Sequence, residues 1–77
     1  MTPRLPSLTA RAVERALIKA GFRAIRQSGS HRIYQHALDP GRRVVLPIHA
    51  ARDLKPGTLR AIIRQAGLSI DEFVAFL

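Results

Sequence analysis

The chain has no cysteine, no tryptophan and only five acidic residues among its 77. Without cysteine there is no disulfide, no thiolate metal site and no thiol nucleophile. A domain this small with no disulfide suits a reducing compartment. No apolar run approaches the roughly 20 residues of a membrane-spanning helix. Met1–Thr9 lacks the apolar stretch of a secretory signal, so the expected address is the cytoplasm, away from any membrane. The acids are Glu14, Asp39, Asp53, Asp71 and Glu72. They are too scattered to gather around a pair of ions, as metal-dependent nucleases require. His31, His36 and His49 lack a compact ligand spacing, and no nucleophile elbow of the serine-hydrolase kind is present. The expectation is therefore a domain with no metal and no cofactor.

What is abundant is positive charge. Thirteen basic residues against the five acids give a net charge of +8. Eleven of the thirteen are arginine, whose planar fork grips phosphate through two parallel hydrogen bonds. Such a balance points to nucleic acid, an anionic membrane surface or an acidic protein partner; solubility and a compositional bias toward arginine are the plainer explanation. Apolar residues make up 47% of the chain, enough for a folded core and too many for a disordered tail.

The pattern along the chain reads as α-β-β-β-α-α, one domain over residues 1–77. Thr9 is an N-cap for a helix reaching about Ala20, with Val13, Ala16, Leu17 and Ala20 as its buried stripe and Gly21 as its stop. Strands are expected at Phe22–Gln27, His31–His36 and Arg43–His49, joined by Ser28-Gly29-Ser30 and by a turn at Asp39-Pro40-Gly41. Pro47 cannot donate to a ladder, which places the third strand at an edge or ends it there. A second helix begins at Lys55–Pro56 and buries Leu59, Ile62, Ile63 and Ala66. Ser69 and Glu72 form a capping box for a short third helix, with Ile70, Phe73, Val74 and Leu77 as its apolar face. The expected fold class is α+β: a three-stranded antiparallel sheet, helices on one face and the other face open. Val44, Leu46 and Ile48 should face the helices. On the second strand either Ile33 or Tyr34 points inward.

This order of elements is shared with double-stranded-RNA-binding domains. Four local blocks are more specific: Leu17-Ile18-Lys19-Ala20-Gly21-Phe22, Gly29-Ser30-His31-Arg32-Ile33-Tyr34, Val45-Leu46-Pro47-Ile48-His49, and Leu54 to Leu68. Together they resemble the HicA (YcfA-like) toxin family in order and spacing, over roughly Leu8–Leu68. The resemblance implies a double-stranded-RNA-binding-like fold, cleavage of mRNA, and neutralisation by a HicB-type antitoxin. It also implies that His31, in Gly29-Ser30-His31, is the catalytic histidine. The chain departs from the family at Thr9-Ala10-Arg11-Ala12, which lacks the acid often found early in that helix.

The residues carry a reading of their own. His31 follows a glycine turn and opens a strand, so it should be accessible. RNA cleavage needs a base for the 2′-hydroxyl proton or an acid for the leaving oxygen, and imidazole suits both near neutral pH. A lone histidine is more often an ordinary surface residue; the resemblance reverses those odds. His49 is the candidate for a second imidazole, on the open face nearly opposite His31 if Tyr34 points inward. His36 reads as a strand-end residue. Arg26, Ser30, Arg32 and Lys55 are the candidate RNA-binding residues. Arg11, Arg15 and Lys19 form one basic helical stripe and Arg60 and Arg64 another; each is ordinarily a solvated face, or, beside Arg23, Arg26 and Arg32 and extended by Arg42 and Arg43, part of a track for RNA. The alternative function is a non-catalytic RNA-binding module of the same fold.

Overall fold

The computed structural model describes residues 5–48 and 52–77. It contains α1 (Ala10–Lys19), β1 (Phe22–Ser28), β2 (His31–His36), β3 (Arg43–Pro47), α2 (Pro56–Gln65) and α3 (Ile70–Ala75). The expected order of elements is thus borne out.

Local signals set most of the boundaries. Thr9 caps α1, its hydroxyl accepting the N–H of Ala12 at 3.2 Å. Pro56 opens α2, where its missing N–H costs nothing. Ser69 and Glu72 satisfy each other's backbone N–H at the start of α3. β1 and β2 are joined by a two-residue loop in which Gly29 takes a left-handed φ of +57°, a conformation glycine adopts without strain.

The sheet is antiparallel in the order β1-β2-β3. Its helix-side face carries Phe22, Tyr34, Val44 and Leu46, all buried. Against them pack Val13, Ala16 and Leu17 of α1, Leu59, Ile62 and Ile63 of α2, and Phe73 of α3. Tyr34 therefore resolves the ambiguity on β2: it is fully buried, and Ile33 turns to the open face. The expected stripe of α3 narrows to Phe73, with Ile70 and Val74 half-buried; Leu77 stays 45% exposed, because α3 ends at Ala75 before that position can turn inward.

Arg42 fastens the β2–β3 turn to the far end of α2. Its Nε donates to the carbonyl of Ala66 at 2.8 Å, and its guanidinium lies 5.4 Å from the centre of the Phe22 ring. Gly67 makes room for it: a Cβ there would come within 3.0 Å of Arg42 Nε. His36 stacks edge-on against Phe22 with ring centres 5.0 Å apart, and its Nδ1 accepts the N–H of Leu38. Both residues thus belong to the scaffold.

Candidate active site

The cross-strand register decides which side chains share the open face. Direct antiparallel partners project to the same side. His31 pairs with Ser28 and Pro47, Ile33 with Arg26 and Val45, and Gln35 with Arg23 and Arg43. These nine residues form three rows of three. The row nearest the β1–β2 loop holds His31, which is exposed. The middle row is apolar at its centre and has Arg26 at one end. The third row has an arginine at each end.

Arg26 reaches this face through an irregularity. Simple alternation from Phe22 through Ala24 would turn it toward the helices. The register shifts between Ala24 and Arg26, so that Ile25 is an extra residue and Arg26 stands opposite Ile33. A bulge of this kind re-aims the side chains that follow it.

The ladder beside His31 is closed. The N–H of Ile48 donates to the carbonyl of Ser30 at 2.6 Å, and that of His36 to Arg42 at 3.0 Å. These bonds fix residues 32, 34 and 36, with Ser30 before them, as the positions bonded toward β3. The His31–Pro47 pair is then a non-bonded position, where proline withholds nothing from the ladder and side chains approach closely. Ser30 contributes its backbone to the placement of His31. Pro47, and not His49, occupies the position opposite His31, since β3 ends at Pro47. His49 itself lies outside the described residues.

Pro47 also lines a surface cavity of about 320 Å³ with Arg52, Asp53, Leu54, Lys55 and Thr58. Lys55 precedes α2 and is exposed. The cavity thus places two cationic side chains beyond the partner of His31. Among the described residues, no three His, Asp or Glu side chains gather as they would around a metal ion.

Arg32 departs from the expectation. Being next to His31 in sequence, it points the other way, and its guanidinium is engaged. One nitrogen meets Glu14 Oε2 of α1 at 2.6 Å, while Nε and another nitrogen bond Gln27 Oε1 at 3.2 and 3.1 Å. The hydroxyl of Tyr34 donates to the same Glu14 oxygen. The bond from Tyr34, then that from Arg32, holds the Glu14 carboxyl below its ordinary range. Burial, and then the bond to the Glu14 carboxylate, pushes the Tyr34 phenol up to about 12, so it remains a donor at any working pH. Among the described residues this is the only salt bridge. The signal for it was Glu14 itself, the single acid in an otherwise basic helix.

The family model described as HicA toxin of bacterial toxin-antitoxin matches residues 10–68, most of the chain. The chain belongs to the HicA toxin family. It is therefore a toxin of a bacterial toxin-antitoxin system, and such a toxin has an antitoxin as its partner. A search of curated proteins finds no match. The match begins in α1 and ends just before α3, so the His31 loop, the three strands and the cavity beside Lys55 all lie within the HicA region. Among the described residues no helix is long and apolar enough to cross a membrane.

Proposed function

We propose that this HicA-family chain is an endoribonuclease that cleaves mRNA without a metal ion, with His31 as its acid–base catalyst. The observation that carries the reading is the placement of His31. It is exposed at the head of β2, on a face whose other titratable side chains are arginines. RNA supplies its own nucleophile. The 2′-oxygen attacks the adjacent phosphorus as its proton passes to a base, and the bond from phosphorus to the 5′-oxygen breaks as that oxygen gains a proton. The products are a cyclic 2′,3′-phosphate and a 5′-hydroxyl. His31 performs one of these two transfers. Lys55, Ser30 and Arg26 are the proposed RNA contacts, and His49 is the proposed second imidazole. Arg32 supports the site from behind through Glu14. A HicB-type antitoxin neutralises the toxin by covering His31, its acidic surface drawn to the basic chain.

The test is induced expression of the wild type and of His31→Ala, followed by end-group analysis of cellular RNA. Growth arrest and 5′-hydroxyl ends with the wild type alone are the expected result. A folded His31→Ala protein that remains equally toxic overturns the role of His31. A 5′-phosphate product, or activity lost in chelator and restored by a divalent ion, overturns the metal-free route. Binding of RNA with no cleavage at all returns the chain to the non-catalytic module.

A further inference from the structure

The geometry points to the open face of the sheet as the docking surface for a single strand of RNA, leading its backbone across the sheet to His31. This rests on the ribonuclease reading for its endpoint, and on the arrangement of charge for its path. Arg23, Arg26 and Arg43 are all exposed on this face, and none is in a salt bridge among the described residues. The nine positions include no acid. Arg43 is held across the sheet by its Nε bond to Gln35 Oε1 at 3.1 Å. Arg26 owes its place here to the bulge at Ile25. Between the cations, Ile33 and Val45 offer an apolar floor, Val45 being 42% exposed.

The dimensions suit one strand. Three β-strands span about 10 Å from first to last, and successive rows lie about 7 Å apart. That row spacing is close to one step of an extended ribose–phosphate chain. A duplex would present a second phosphate backbone to a face too narrow to meet it. The chemistry agrees: an A-form helix holds the 2′-oxygen out of line with the bond it must break, and a free strand does not. Apart from the imidazole of His31 the nine positions carry no aromatic ring, because Phe22 and Tyr34 are turned into the core. Base stacking, the usual aid to single-strand binding, is limited to that one ring, so recognition along the path runs through the backbone and tolerates many sequences. The basic stripe Arg11, Arg15 and Lys19 belongs to α1, on the other side of the sheet, and takes no part.

Binding is separable from cleavage in the His31→Ala background, read by fluorescence anisotropy with a labelled unstructured RNA, its duplex, and salt as the variable. Neutralising Arg23, Arg26 and Arg43 to Gln should weaken single-strand binding and reduce the log–log salt slope by about two units, from roughly 0.7 per phosphate contact. Replacing the same three by Lys should restore the slope. The Gln triple at Arg11, Arg15 and Lys19 should leave it unchanged. The inference is overturned if the α1 triple carries the loss, or if duplex binds as tightly as the single strand. It is equally overturned if the open-face triple keeps its RNA affinity and loses only the antitoxin. Single-strand binding on this face with no cleavage by the wild type would sustain the surface and sink the ribonuclease reading. Normal cleavage by the open-face triple would do the reverse.

Discussion

Arg32 and Arg26 lie one on each side of the sheet, and their fates differ. Arg32 is tied to Glu14 and Gln27 and helps bind α1 to β2. Arg26 has no salt-bridge partner among the described residues and faces outward. The same division runs through the whole sheet. On the helix side two arginines are engaged: Arg32 is paired with Glu14, and Arg42 is held by the carbonyl of Ala66 and the ring of Phe22. On the open side positive charge is left to accumulate around one imidazole. Unpaired like charges contribute no stability, and here they lie where an anionic chain would supply the missing partner.

The contrast is sharpest where function and stability separate. His31→Ala should lower RNA cleavage by about 10²–10⁴-fold, while its thermal midpoint stays that of the wild type, since surface substitutions usually move stability by less than about 0.5 kcal/mol. Leu46→Ala, one residue from the His31 partner Pro47 but on the helix side and fully buried, should cost about 2–5 kcal/mol in urea unfolding. In a domain of marginal stability that is a large share of the total. If the two variants lose stability alike, the division between faces is not real.

Glu14→Gln tests the Glu14–Arg32 ion pair. It keeps an acceptor for Tyr34 and removes the charge opposite Arg32, so the loss at pH 7, screened by solvent, should be at most about 1 kcal/mol. The sign with pH follows from the depressed carboxyl. Glu14 loses its proton more readily folded than unfolded, so its contribution is complete above the ordinary value near 4.5 and fades as pH falls through the lower folded value. Wild type and variant should thus converge in strongly acidic urea melts; a gap that persists there assigns the loss to packing. The smallest effect belongs to Arg43→Ala, within about 0.5 kcal/mol of wild type, measured by the same melts.

Much of this was legible in the chain. Thr9, Ser69 and Glu72 announce helix starts because caps act over three residues, and β2 was bounded to the residue by Gly29 and the turn after His36. Periodicity could not choose between Ile33 and Tyr34, as both are apolar enough to be buried. The choice came from Glu14, which accepts the phenol hydroxyl at the end of a buried ring, a contact twenty residues away in sequence. The bulge at Ile25 left no mark, for Ala24-Ile25-Arg26 contains no glycine, and with it the orientation of Arg26 was hidden. Arg32 lies on the other side from His31 because neighbours in sequence face opposite ways along a strand. Of the candidate site, His31 and its exposure were readable. The pairing with Pro47 was not, because register depends on two strands at once.

The outer edge of β3 has one further consequence. The N–H of Val45 points away from β2 and donates to Gln65 Oε1 of α2 at 3.0 Å, and Pro47 has no N–H at all. A foreign strand laid alongside β3 would find one donor taken and one missing, with Arg43 the remaining outward donor in the strand. Sheet extension between copies, the ordinary route from exposed edges to aggregation, is thereby hindered on this side by a side-chain acceptor and a proline, with the charge of Arg43 beside them. The open face can then remain uncovered while the strand that borders it resists recruitment into a larger sheet.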